Sequence, residues 1–375
     1  MRGKSKGQPD FLTVVNVEMR IPKTHPIRAI KRRVDEVLRR LSGDFQQLYQ
    51  RIGRPSIPPE QLLKARVLMA LFSVRSERQF CEQLGYNLLW QWFLDRDLEE
   101  GSFEHSVFSK NHQRVFSNEV AERFFREIYE LSREEEWASD DHFSADGTLL
   151  EAWASTKSFR PKEESGGGDD PSNQDGGNGF MPSNPEVDFK GQKRSNETHR
   201  SRTDPESVLY RKGPGKEAKL CFGAHALMEN RNGLLAAIDI HNPIETSEAD
   251  MALDQMEVLA RDEQGLPQSV GADKNYQTKH FVRECRDRGV KPHVACIKNR
   301  KTPGLDGRTT GSRGYRLSQR IRKRIEEIFG WMKTVGLLRK VRYRGVAKIQ
   351  SWIQFVGATF NLVRMANLEL RAQVE

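Results

Sequence analysis

Ala218-Lys-Leu-Cys-Phe-Gly-Ala-His-Ala-Leu-Met228 runs into Asn230-Arg-Asn-Gly233 and then into Leu234-Leu-Ala-Ala-Ile-Asp-Ile240. Two apolar runs on either side of an Asn/Gly turn spell a β-hairpin. Working outward, residues 247–261 have helical spacing with Ser247 as cap, and Ser269-Val-Gly-Ala-Asp273 reads as a short strand. A helix over 278–287 is closed by Gly289, a strand follows over 290–297, and 313–340 is mostly helix. A last helix covers 348–370. Upstream of the hairpin, His142-Phe-Ser-Ala-Asp146-Gly-Thr-Leu-Leu150 reads as a strand, a turn and a second strand. A hairpin-led sheet followed by alternating strands and helices predicts an α/β fold with a mixed sheet.

The first third of the chain reads differently. Pro58-Pro59-Glu60 opens an amphipathic helix over 61–72, Ser76-x-x-Gln79 caps a short helix closed by Gly85, and another helix covers 118–133. The two helices around the 73–76 turn resemble a helix-turn-helix, and equally a plain bundle. This predicts a tail (1–25), a helical, DNA-binding domain (26–136), an α/β domain (137–345) and a C-terminal helix (346–375). Residues 158–186 are rich in Gly, Pro, Ser, Asn and Asp with almost no aliphatics, which predicts a flexible insertion. With the basic stretch after it, carrying Lys190, Lys193, Arg194, Arg200, Arg202, Arg211, Lys212 and Lys216, the insertion extends to about 217, and order resumes at Ala218.

The 375 residues carry 61 Lys and Arg against 52 Asp and Glu, a net +9, which invites a polyanionic partner. No apolar run approaches the roughly 20 residues of a membrane span. Four scattered cysteines without C-x-x-C spacing argue against a disulfide scaffold and make a reducing cytoplasm the default. Histidines such as His142, His225 and His241 sit singly, with no cluster of zinc ligands evident.

Three carboxylates stand out. Asp146 and Asp273 fall at expected strand ends, where α/β sheets gather functional side chains, and hard oxygen donors there suit Mg²⁺ or Mn²⁺. An aspartate in a turn is also an ordinary turn residue. In Leu317-Ser-Gln-Arg-Ile-Arg-Lys-Arg-Ile-Glu-Glu-Ile-Phe-Gly-Trp-Met-Lys333, helical phase at about 100° per residue puts Leu317, Ile321, Ile325, Ile328, Phe329 and Met332 on one arc. Glu326 lies at the edge of that arc with Arg322 and Lys333 within about 40° of it, whereas Glu327 faces solvent. The same spacing describes an exposed Glu–Arg pair.

Taken together, the order Asp146, Asp273, Glu326 on this string of elements resembles the DDE transposases of bacterial insertion sequences, the insertion-sequence-five family in particular. The likeness is carried by FSADGTLLEAWAS, HRSRTDPESVLYRKGPGKEAKLCFGAHALMENRNGL, ADKNYQTKHF and RIEEIFGWMKT, between Phe143 and Thr334. In that family the last helix reads Tyr, two residues, Arg, three residues, Glu, six residues, Lys. Arg322, Glu326 and Lys333 fit it, Gln319 stands at the Tyr position, and Asn275 stands where a Gly is usual.

The resemblance implies a ribonuclease-H-like catalytic domain in which Asp146, Asp273 and Glu326 hold two Mg²⁺ ions, with Mn²⁺ able to substitute. Water attack frees a 3′-hydroxyl at the element's end, and that hydroxyl attacks target DNA with no covalent enzyme intermediate. Without metal the three anions repel one another, so the site is expected to be loose or partly protonated. Double-stranded DNA, as element ends and target, is the implied partner, bound by a homo-oligomer in a nucleoid-associated setting. Arg322 and Lys333 are implied phosphate ligands, and Lys274, Arg211, Lys212 and Lys216 further DNA contacts. Trp331 and Tyr276 are candidates to stack on an unpaired base. A DNA-binding regulator without transposition activity, or a ribonuclease-H-like nuclease, is the alternative, and the full acid set argues against the first.

Overall fold

The computed structural model describes residues 16–49, 56–162, 194–211, 213, 215–262 and 265–373. Its N-terminal part is helical: α1 (Val17–Arg20), α2 (Pro26–Arg40), α3 (Ser42–Gln47), α4 (Pro59–Leu71), α5 (Glu77–Leu84), α6 (Leu88–Phe93), α7 (Ser106–Lys110) and α8 (Asn118–Glu134). Proline at the first turns of α2 and α4 and side-chain caps from Ser76 and Ser117 start helices where the sequence signals them. Helix α4 departs from the amphipathic expectation, for every residue from Leu62 to Ala70 is buried. Two of these are Lys64 and Arg66, which are tolerated because Asp35 and Asp95 neutralise the first and Glu77 the second.

Strands β1 (Phe143–Glu151), β2 (Phe159–Pro161), β3 (His199–Ser201), β4 (Val208–Tyr210), β5 (Lys219–Glu229), β6 (Leu235–His241), β7 (Ser269–Ala272) and β8 (Lys291–Val294) follow. A mixed six-stranded sheet runs β4-β5-β1-β7-β8, with β6 pairing β5 farther along the same edge. Strand β5 is antiparallel to β1, β4 and β6, whereas β1, β7 and β8 are parallel. The β5–β6 hairpin turns through Gly233 at φ +73°, as the Asn/Gly signal predicts. Helices α9 (Glu248–Arg261), α10 (Lys279–Asp287), α11 (Gly307–Thr310), α12 (Arg313–Ile321), α13 (Ile325–Thr334) and α14 (Val346–Ala372) complete the described chain.

Four expectations need correction. First, residues 143–151 form one unbroken strand, so Gly147 is not a turn. It is glycine because the Glu248 carboxylate lies where a Cβ would stand. Second, the insertion begins later than its composition implies. Phe159 is buried against the His199 ring at 5.5 Å, and β2 and β3 pair as a ribbon. Third, order returns before Ala218. Ser201, Asp204 and Ser207 are buried and hydrogen-bonded, and Asp204 and Glu206 accept the Gly345 and Val346 N–H groups. Polar anchoring replaces an apolar core there. The rest of the predicted flexible segment, 163–186, with Lys190 and Lys193, lies outside the described residues.

Fourth, the acid helix is not continuous. A 3₁₀ turn, Arg322–Arg324, separates α12 from α13 and advances the phase by roughly 20° per residue relative to α geometry. The arc of α13 stays buried through Ile325, Ile328, Phe329 and Met332, but Leu317 in α12 is half exposed and Ser318 faces inward instead.

The long helix α14 packs on α2, α4, α8, α13 and β6, joining the helical part to the sheet. Its Asn361 holds both the N–H and the C=O of Leu235 at 2.8 Å.

Candidate active site

Parallel pairing of Phe143 with Val270 and Ser144 with Gly271 sets the site's floor. Asp146 and Asp273 each lie two residues beyond a paired residue, so they stand level on neighbouring strands and on one face. Asp146 is therefore inside β1, whereas Asp273 follows the end of β7. Asp273 Oδ1 accepts the Asn275 N–H at 2.7 Å and caps the 3₁₀ turn Lys274–Tyr276. This capping makes the sharp turn, and Asn275 is not among the residues with positive φ.

The segment α12–α13 crosses the same face. A Cβ at Gly271 would lie 3.4 Å from Arg322 Cβ, and Lys333 Nζ donates to Thr148 Oγ1 at 2.6 Å. Thr148 is two residues beyond Asp146 and shares its face. Glu326 sits between these two anchor points, and its charge reaches Asp146. Burial is the main force raising the Asp146 carboxyl above its ordinary range, and Asp273 and Glu326 push the same way. The Gly147 N–H, donated to Asp146 Oδ1 at 2.9 Å, and Arg322 oppose them.

Glu326 follows Asp146 by 180 residues of sequence, and Glu326 and Glu327 are both exposed. Among the described residues no three His, Cys, Asp or Glu side chains are grouped closely enough to hold a metal ion. Three hard oxygen donors in this electrostatic state fit Mg²⁺ or Mn²⁺ better than a soft metal.

Around them sit groups whose roles the sequence did not give. Gln319, at the family's Tyr position, donates to the His293 carbonyl and accepts from Arg322 Nε at 3.0 Å, so it steadies the arginine. Glu248 covers Gly147 from the start of α9, and the isolated glycine inside an apolar strand was the signal that another group approaches there. Tyr276 is fully buried with its hydroxyl 2.7 Å from His225 Nε2, so it cannot stack on a base. His225 in turn meets Gln255 at 2.7 Å. Trp331 is half-buried, edge-on to Phe360 at 5.5 Å.

Of the remaining basic candidates, Lys274, Arg211 and Lys216 are exposed, and Lys212 lies outside the described residues. Tyr210, next to Arg211, borders a cavity of about 360 Å³ together with Gly147, Glu248 and Asn275.

Comparison with known proteins gives two family matches, a Transposase domain (DUF772) over residues 15–114 and a Transposase DDE domain over residues 193–362. No curated protein matches. Among solved structures, a piggyBac transposase synaptic complex with hairpin DNA is similar at 9% identity and TM-score 0.40, over 93% of this chain and 76% of that one. The Mos1 strand transfer complex is similar at 10% identity and TM-score 0.22, over 82% and 86%. At such TM-scores neither likeness bears on function. The two family matches take in more than two thirds of the chain between them, and on that ground the protein is a DNA transposase of the DDE, insertion-sequence type, an enzyme that cleaves and transfers DNA strands.

Proposed function

We propose that this transposase belongs to the insertion-sequence-five family and that Asp146, Asp273 and Glu326 are its catalytic carboxylates. The level placement of the two aspartates on adjacent parallel strands, beneath the helix that carries Glu326, is the observation that carries the reading. The strand order β6-β5-β1-β7-β8, with β5 running against its neighbours, supports a ribonuclease-H-like catalytic domain over about 137–345. Helices from 26 to 136 form the DNA-binding part.

Divalent ions held by the three carboxylates, Mg²⁺ or Mn²⁺, supply Lewis acidity and an activated water or 3′-hydroxyl. The chain's own groups do the rest. Arg322, steadied by Gln319, presents a planar fork to a phosphate, and Lys333 adds a point charge beside Thr148. Lys274 and the segment through Arg211, Lys212 and Lys216 clamp the DNA backbone at the rim. The substrate is double-stranded DNA, as element ends and then target, engaged by a homo-oligomer in the nucleoid. Among the described residues no helix is long and apolar enough to cross a membrane.

The test is end cleavage by purified Asp146→Asn in Mg²⁺, run beside a DNA-binding measurement. Binding is expected to persist while cleavage falls below detection. Cutting at the wild-type rate would remove Asp146 from the chemistry, and a wild type that binds but never cuts would favour the regulator.

A further inference from the structure

A cavity of about 230 Å³ lies between α13, α14 and the β5–β6 turn, and two arginines meet in it. Arg324 comes from the 3₁₀ turn before α13 and Arg364 from α14. Their Nη2 atoms both lie 3.6 Å from the point where a Cβ on Gly233 would stand. Each guanidinium is fixed by a main-chain carbonyl of the hairpin turn. Arg324 Nη1 donates to the Asn230 oxygen at 3.1 Å, and Arg364 Nε donates to the Asn232 oxygen at 2.6 Å. Each fork keeps N–H donors that these bonds do not use.

The chain supplies no matching counter-charge. Among the described residues neither arginine forms an ion pair. Glu229 is buried with both carboxylate oxygens committed to the turn. Its Oε1 accepts from the Arg231 N–H at 2.6 Å and Ser139 Oγ at 2.8 Å, and its Oε2 from the Asn232 N–H at 2.9 Å. Glu327 stands exposed at the rim. Burial first, and then the charges of Arg324 and Arg371, hold the Arg364 guanidinium below its ordinary range, and the two glutamates oppose this only in part. Partly buried like charges without a carboxylate between them are costly, and an anion relieves them. Trp331 and Phe360, edge-on at 5.5 Å, wall the cavity with apolar surface, in which an ion contact is stronger than in water.

A guanidinium fork matches the paired oxygens of a phosphate, and two forks converging on one point can share a single phosphodiester. We propose that Arg324 and Arg364 bind a backbone phosphate of DNA, at a site separate from the one that Arg322 and Lys333 face. Glu326 and Glu327 are about 100° apart round α13, and Trp331 follows Glu327 by four residues, so the cavity and Glu326 lie on different flanks of one helix. A DNA strand that crosses α13 is thereby held on one flank while the other carries Glu326. The inference rests on the protein's being a DNA transposase and not on the assignment of the three carboxylates.

The experiment is fluorescence anisotropy of a labelled DNA duplex with the full chain in EDTA, from about 50 to 200 mM salt, so that metal and carboxylate chemistry do not enter. Arg364→Gln should weaken binding about ten-fold at the low-salt end and make the slope of log K against log salt shallower by about one. Because both forks hold one phosphate, adding Arg324→Gln to it should cost much less than Arg324→Gln alone. Asn367→Trp, at an exposed position on the rim, blocks the entrance without changing charge and should reproduce the loss, which a diffuse basic field would not. Melting curves without DNA check the fold of each variant. Unchanged affinity and slope in the arginine variants, or a loss there that Asn367→Trp does not share, overturns the site. So does a melting-temperature rise with inorganic phosphate that Arg364→Gln abolishes while DNA binding stays at the wild-type level, since the cavity then serves a free anion.

Discussion

Two clusters of charge in this protein are built on opposite terms. In the helical part, Arg66 is 2% exposed, stacked 4.2 Å above the Phe116 ring and 3.1 Å from Glu77, whose carboxylate also takes the Tyr343 hydroxyl at 2.7 Å. Nearby, Arg342 lies 3.9 Å over Trp352. Each charge there is balanced or stacked within the molecule. On the sheet, burial first and then the charges of Asp273 and Glu326 hold the Asp146 carboxyl up. The first cluster is finished when the chain folds; in the second, Arg322 offsets the burial and like charge at Asp146 only in part.

The largest effect that sharpens this contrast is expected at Glu326. Glu326→Gln should fold, bind element-end DNA and fail to cleave it in Mg²⁺ or Mn²⁺, measured by end cleavage. Normal cutting would mean that the exposed carboxylate is outside the site. Next comes the finished cluster. Arg66→Met leaves Glu77 without its main partner and should cost about 3 kcal/mol in denaturant unfolding. Adding Glu77→Gln should recover part of that loss, and no recovery would show that the arginine acts through packing alone.

A smaller effect concerns acid. Burial alone would raise the Glu77 carboxyl, but Arg66, Arg342 and the Tyr343 hydrogen bond outweigh it and bring it down to about 2. A folded-state value below the unfolded one means that the stabilisation is fully present above about 4.5 and is lost as pH falls toward about 2. Glu77→Gln should therefore flatten the stability profile in that window and leave its shape near neutrality unchanged. The smallest effect is expected at Glu327→Gln. Glu327 borders a groove with Arg324, Trp331 and Arg364 rather than the aspartates, so activity should persist and stability should move within about 0.5 kcal/mol.

What the sequence revealed and what it hid divide along the range of the forces involved. The β5–β6 hairpin, the Ser247 cap of α9, the Thr278 start of α10 and the strand before Asp273 were legible because a few neighbouring residues decide each of them. The choice of Asp146, Asp273 and Glu326 came from a resemblance and from helical phase, and what the fold adds is that Asp146 and Asp273 stand on neighbouring parallel strands. Gly147 was misread as a turn because its cause, Glu248, is about a hundred residues away. Strands β3 and β4 were hidden because hydrogen bonds that Asp204 and Glu206 accept from the start of α14 hold that region, and these leave no apolar pattern. The inward turn of Ser318 depended on a 3₁₀ step that regular periodicity cannot anticipate.

Helix α14 follows in the chain every element it packs against, yet it buries faces of α2, α4 and α8 as well as of β6. During synthesis, then, neither the helical part nor the sheet can close its core until this helix has left the ribosome, and the earlier elements wait with apolar surface showing. A chain broken before residue 346 would leave those faces of α2, α4, α8 and β6 bare to solvent, an invitation to aggregate.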